Sequence, residues 1–171
     1  MVFVALGSNL GDSRQIILDA MARLQKFSDR PILKSSLWQT SPLDCPPGSP
    51  LFVNAVAGLV SRKDETPESL LGKLQSLQKE FGRQPRQVLN EPRPLDLDLI
   101  AFGRETRPAA PKRGESGDTP ELVLPHPRAH LRRFVLQPLS EIAPDLILPG
   151  QGRTVAQLLA ELVSEEVLKR I

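Results

Sequence analysis

The run LDLDLI at residues 95–100 sets two carboxylates, Asp96 and Asp98, between Leu95, Leu97 and Leu99. Side chains on a strand repeat every second residue, so an extended chain puts the three leucines on one face and both aspartates on the other. Neighbouring carboxylates repel unless water, arginine or a cation lies between them. A hard ion such as Mg2+ suits their oxygens and shares its other positions with substrate phosphates. Arg93 stands just upstream. A carboxylate pair beside an arginine suggests phosphoryl chemistry, in which catalysis is mostly positioning and charge stabilisation. Alternation is equally the mark of an amphipathic strand with a wet acidic face. The residues by themselves leave both readings open.

The elements that would position this pair follow from periodicity. Val2 to Leu6 is apolar and stops at Gly7-Ser8-Asn9, a buried strand. Asp12 with Gln15 resembles a capping box, and Ile17, Ala20, Met21, Leu24 and Phe27 predict a helix over 13–26. Strands are expected at 33–40 and 51–60, separated by a loop with four prolines, SPLDCPPGSP at 41–50. Thr66-Pro67-Glu68 is a helix start, Leu70, Leu71, Leu74, Leu77 and Phe81 form its apolar stripe, and Gly82 is placed to end it. A second proline-bearing loop, 83–94, carries Arg83, Arg86 and Arg93 and leads into the acidic strand. Strand-helix-strand-strand-helix-strand is a split βαβ order. It predicts an α+β fold: an antiparallel sheet with both helices on one face and the other face free for a site. Residues 104–121 read as a long surface insertion, 122–124 as a short edge strand and 134–139 as an apolar packing segment. A final amphipathic helix is expected from about 154 to about 168.

The 171 residues predict one domain over 1–171. With 40% hydrophobic and 25% charged residues the chain reads as a soluble, cytoplasmic protein, with no membrane association. A single cysteine, Cys45, excludes an internal disulfide. A net charge of +2, 4% aromatics, no tyrosine and an acidic pair on the sheet argue against a nucleic-acid partner.

Taken together, several motifs resemble the 6-hydroxymethyl-7,8-dihydropterin pyrophosphokinase family. They are ALGSNLGD at 5–12, Thr40 with Pro42 and Leu43, Phe52-Val53-Asn54, Phe81-Gly82-Arg83, PRPLDLDLIAFG at 92–103, LPHPR at 124–128 and RRFVLQPLSEIAPDL at 132–146. The resemblance covers nearly the whole chain and rests on order and spacing. It implies a ferredoxin-like α+β fold with an added C-terminal helix. It also implies transfer of diphosphate from ATP to 6-hydroxymethyl-7,8-dihydropterin, with two Mg2+ ions, in a monomer. By the same resemblance Asp96 and Asp98 hold the metals and, with Arg83 and Arg93, make up the catalytic set. Phe52 and Phe134 sandwich the pterin ring, whose edge is read by Asn54 and by Thr40, Pro42 and Leu43. Gln78, Arg83, Arg93, Leu99, His126 and Arg132 meet the nucleotide.

Against the family pattern, Gln78 stands where a glutamate is usual, Asn90 where many members have a tryptophan, Pro85 where a loop arginine is common, and Glu121 where a basic residue is often found. A degenerate member that binds pterin or nucleotide without efficient turnover is the alternative these changes suggest. The loops 41–50 and 83–94 are expected to close over the substrates, excluding water from the transfer.

Overall fold

The structure, a computed structural model, describes residues 1–42, 47–84, 91–109 and 122–171. Residues 43–46, 85–90 and 110–121 lie outside it. The expectations for Leu43, Pro85, Arg86, Asn90 and Glu121, for closure of the two loops and for most of the insertion fall with them.

Among the described residues six strands form one antiparallel sheet in the order β5-β1-β4-β3-β6, with β2 beside β4. They are β1 (Val2–Ser8), β2 (Leu33–Lys34), β3 (Trp38–Thr40), β4 (Phe52–Leu59), β5 (Asp96–Phe102) and β6 (Leu168–Arg170). The two central strands, β1 and β4, are apolar along nearly their whole length because helices cover both faces. Helices α1 (Ser13–Leu24) and α2 (Pro67–Glu80) cover one face. Their Ile17, Ala20, Leu24, Leu70, Leu74 and Leu77 pack on Val4, Leu6, Ala55, Leu97 and Leu99. The expected split βαβ order is present.

The opposite face is not free. Helices α3 (Arg133–Ile142) and α4 (Val155–Glu161) form a third layer, with Val135, Leu136, Leu139 and Val155 against Phe3, Val56, Ile100 and Ala101. A register shift opposite Phe3 and Val4 leaves Ile100 as an extra residue in β5, a bulge that turns both Ile100 and Ala101 into this second core. Only the end of this face carrying Asp96, Asp98, Gly7 and Asn54 remains for a site. The α3 helix escapes a sequence reading because Pro138 sits in its interior, where it lacks an N–H and crowds the preceding turn. Burial of the residues around it outweighs that cost.

Four other expectations are corrected. The strand expected over 33–40 is two short pieces. Between them Ser35 stands in for regular pairing: its N–H donates to Val56 O at 3.0 Å and its Oγ accepts the Val56 N–H at 2.9 Å. The Asp12 cap is one-sided, since Asp12 Oδ1 accepts the Gln15 N–H at 3.1 Å but the Gln15 amide donates to Asp19. The reciprocal capping box lies instead at Thr154 and Gln157. The last helix ends at Glu161 rather than near 168, because Glu166 and β6 are drawn into tertiary contacts with α3 and β3. The edge strand expected at 122–124 is a single bridge, Arg107 to Leu124.

Leu74 and Leu136 are each fully buried, one in each core. We expect Leu74→Ala and Leu136→Ala each to cost ~2–5 kcal/mol in urea unfolding. A loss under ~1 kcal/mol for Leu136→Ala would mean that the third layer is not packed.

Candidate functional site

Strand register assembles the site. Gly7 on β1 pairs with Asp96 on β5 on one side and with Asn54 on β4 on the other, and Asn54 in turn faces Trp38. Adjacent strands lie about 4.8 Å apart, so the main chains of Asp96 and Asn54 are about 10 Å apart. Gly7 is the floor between them. A Cβ built there would meet Asn54 Oδ1 at 3.0 Å, with Asp96 Cβ and Phe52 Cδ1 at 4.0 Å. One residue without a side chain thus opens a gap between a carboxylate and an amide. Asp98 lies in the next row, opposite Ala5.

On the carboxylate side, Asp96 is paired with Arg83 and with Arg93, the latter at 3.1 Å. Each arginine is placed by a different local device. Gly82, with φ +87, ends α2 in a Schellman motif: the Gly82 N–H donates to Lys79 O and the Arg83 N–H to Gln78 O. That reversal lays the Arg83 side chain back against Gln78 Oε1 and Asp96. Arg93 is held at its main chain by Asn9. The Asn9 N–H donates to Arg93 O at 3.2 Å, and Asn9 Oδ1 accepts the Arg93 N–H at 2.9 Å. Arg93 Nε is buried without a partner among the described residues.

Asp98 has looser company, with Arg132 at 3.9 Å and His126 at 4.0 Å. Burial in the cleft, and then repulsion from Asp96, push its carboxyl up to about 6 from the usual 3.8. His126 is tied to β5 by its N–H, which donates to Ile100 O at 2.9 Å. Burial, then Arg132 and Arg128, bring its pKa down to about 4, so it is neutral at pH 7. Its Nδ1 accepts the Arg128 N–H at 3.2 Å, which places the ring proton on Nε2, the nitrogen facing Asp98. Three guanidinium groups, two carboxylates and a neutral N–H donor therefore line one end of the sheet. The balance is one positive charge, suited to a polyanion accompanied by cations.

On the amide side, Asn54 is 6% exposed and Nδ2 donates to Thr40 Oγ1 at 2.7 Å, which turns Oδ1 toward Gly7. Phe52 is half-buried two residues earlier on the same strand. Phe134, at the start of α3, borders the second core, and the Arg132 guanidinium lies over its ring at 5.3 Å. Pro42 is half-buried beyond the end of β3.

For two residues expected at the nucleotide, the structure narrows which atoms could meet it. Leu99 is 4% exposed and packed in the core beneath the helices, so only its main chain could meet a ligand. Gln78 Oε1 accepts the Leu97 N–H at 2.8 Å as well as Arg83, so this oxygen is committed to the protein. Gln78 holds an otherwise free edge of β5 and aims an arginine. Gly7 and Asn9 were not singled out by residue type. Their signal was the break of the first strand at Gly7-Ser8-Asn9, which reads as a strand end until pairing shows what stands beside it.

Comparisons with known proteins bear on the family and the fold. A family model described as 7,8-dihydro-6-hydroxymethylpterin-pyrophosphokinase matches residues 3–144. The chain is 41% identical over 162 residues to a 2-amino-4-hydroxy-6-hydroxymethyldihydropteridine pyrophosphokinase of Pseudomonas aeruginosa, covering 93% of this chain and 90% of that protein. It is 32% identical over 166 residues to the folic acid synthesis protein fol1 of Pneumocystis carinii, covering 97% of this chain but only 20% of that longer protein. A crystal structure of HPPK-DHPS in complex with substrates superposes with a TM-score of 0.70 at 12% identity, over 93% of this chain and 42% of the other. At that identity the likeness concerns the fold, a mixed arrangement consistent with the ferredoxin-like expectation. From sequence and fold together, the chain belongs to the 7,8-dihydro-6-hydroxymethylpterin-pyrophosphokinase family.

Proposed function

We propose that this chain transfers the diphosphate of ATP to 6-hydroxymethyl-7,8-dihydropterin, a step of folate biosynthesis. The observation that carries the reading is the row Asp96–Gly7–Asn54, in which an arginine-paired carboxylate and a buried amide flank one glycine, chemistry suited to a phosphate on one side and a heterocycle edge on the other. The substrate hydroxyl attacks the β-phosphorus of ATP, the bond to the α-phosphate oxygen breaks, AMP leaves, and the hydroxyl proton is released. No observation favours a binder without turnover.

Mg2+ fits the carboxylate pair by donor chemistry: hard oxygens side by side on one strand, where burial and then repulsion from Asp96 push Asp98 up to about 6, a cost that a bound cation relieves. Among the described residues no cluster of three or more Asp, Glu, His or Cys forms, so phosphate oxygens and water would complete the coordination of two ions. When bound, Mg2+ neutralises the phosphate chain and acts as a Lewis acid on it. The protein does the rest. Arg83 and Arg93 rest on Asp96 and are available to phosphate oxygens once a cation takes the carboxylate. Arg132 and the His126 Nε2–H add donors from the opposite wall. Asn54 Oδ1, with Thr40 and Pro42, reads the polar edge of the pterin, while Phe52 and Phe134 offer it apolar faces. Among the described residues no helix is long and apolar enough to cross a membrane. We take the enzyme to be cytoplasmic and active as a monomer.

Three outcomes test this. AMP, not ADP, should appear from ATP and Mg2+ only when the pterin is present. Asp96→Ala/Asp98→Ala should lower kcat by at least ~100-fold while the protein stays folded. ADP as product would refute the reading.

A second test uses the raised Asp98 carboxyl. Its folded pKa lies above the unfolded one, so its effect on stability is unfavourable above about pH 6 and fades as pH falls through the window from 6 to 4. Asp98→Asn should raise the Tm at pH 7 by ~2–4 °C, about 1 kcal/mol once solvent screening of this 38% exposed side chain is allowed for, and should not raise it at pH 4. Mg2+ affinity of the wild type, measured by calorimetry, should fall below pH 6 as protons compete.

Thirdly, Gly7→Ala should raise the pterin KM by ~10-fold, because its methyl displaces Asn54 Oδ1. An unchanged KM would remove Asn54 from the pterin site.

A further inference from the structure

The final stretch of the chain touches both sides of the pterin pocket proposed above. Glu166 is 9% exposed, and its carboxylate accepts the Phe134 N–H at 3.0 Å. This N–H lies in the first turn of α3. The residue at the usual capping position, Arg132, has no side chain able to accept it, and makes no such bond. The first N–H groups of any helix lack partners within it, and a carboxylate suits the positive end of the helix dipole. Glu166 therefore does from across the fold what a local capping side chain does elsewhere.

Its neighbours fix the other wall. Ser164 Oγ accepts the Glu166 N–H at 3.2 Å. The Ser41 N–H donates to Val167 O at 3.3 Å, and the Val167 N–H to Ser41 Oγ at 3.5 Å. β6 then pairs with β3, and Leu168 falls opposite Thr40, the residue that receives the Asn54 amide. Two consecutive residues thus bind the start of α3, which bears Phe134, and the 40–42 wall, which bears Thr40 and Pro42. Core burial does not account for this placement, since Val163 is 97% exposed and Val167 70%. The segment turns apolar side chains to water and a carboxylate inward. Burial of that carboxylate costs free energy, offset here by a main-chain donor.

We propose that Glu166 is a positioning residue for pterin binding. By capping α3 it sets the Phe134 ring, and through Val167 it holds that ring in register with the 40–42 wall. The proposal rests on the pterin reading of the site.

Steady-state kinetics on the full chain test it, with wild type, Glu166→Ala and Glu166→Gln. Glu166→Ala should raise the pterin KM by ~10-fold and leave the ATP KM within ~2-fold. Glu166→Gln, whose amide oxygen can accept the same N–H, should return the pterin KM to within ~3-fold of wild type. An unchanged pterin KM in Glu166→Ala, equal rises in both KM values, or no recovery in Glu166→Gln would each overturn the proposal. A wild type inert toward the pterin would overturn the functional reading and the proposal together, which separates the two failures. If Glu166→Ala does not fold, Glu166→Asp decides. It keeps the charge but shortens the reach by one methylene, so the pterin KM alone should rise, and no rise would refute the role.

Discussion

Two carboxylates on the same face of one strand repel each other, and much of the surrounding structure answers that repulsion. Asp96 is met by Arg83 and Arg93, Asp98 more distantly by Arg132 and His126. These four groups come from the end of α2, the approach to β5, the residue before α3 and residues 124–128 between β5 and α3. Three of them are placed by different local devices. A helix-terminating glycine reverses the chain at Arg83, an asparagine beyond β1 holds Arg93 by its main chain, and a main-chain bond to Ile100 holds His126. The arrangement leaves Asp98 under-compensated, the less comfortable of two anions in a cleft that would gain from a cation.

The same end of the sheet presents different chemistry on its two sides, a carboxylate and an amide, with Gly7 between them. Strand spacing sets the separation of Asp96 from Asn54, and the missing side chain keeps the space between them open. A transfer between two substrates needs a distance of this kind, long enough for a phosphate chain and a ring to meet over one floor. The third layer defines how much of the face is used. Helices α3 and α4 bury Phe3, Val56 and Ile100, and the bulge at Ile100 turns Ala101 into that layer as well. Chemistry is confined to the uncovered end.

The residues of the site were legible in the sequence to unequal degrees, for physical reasons. Asp96 and Asp98 stand out because type and strand alternation give both identity and face, Arg93 because it stands just upstream of them, and Asn54 only through the family resemblance. Gln78 was legible as a position, but a buried amide can serve a nucleotide or a strand edge, and only the structure shows that its oxygen holds the Leu97 N–H at 2.8 Å. Leu99 was assigned to the nucleotide, yet its side chain follows the alternation into the core. Glu166 gave no local signal at all, because its partner, the Phe134 N–H, lies 32 residues earlier in the chain.

By itself the sequence determined the alternating faces of β5, the two amphipathic helices and their ends, the split βαβ order, and the family. The first three rest on interactions within a few residues, where periodicity and capping chemistry act; the family rests on the order and spacing of motifs along nearly the whole chain. Only the tertiary structure decided that α3 forms despite Pro138, that α4 stops at Glu161 so that the tail can cap α3 and extend the sheet, and that Gly7 stands between Asp96 and Asn54. Burial and pairing between distant segments outweigh local propensity at these places, and no local pattern encodes which distant segment will arrive.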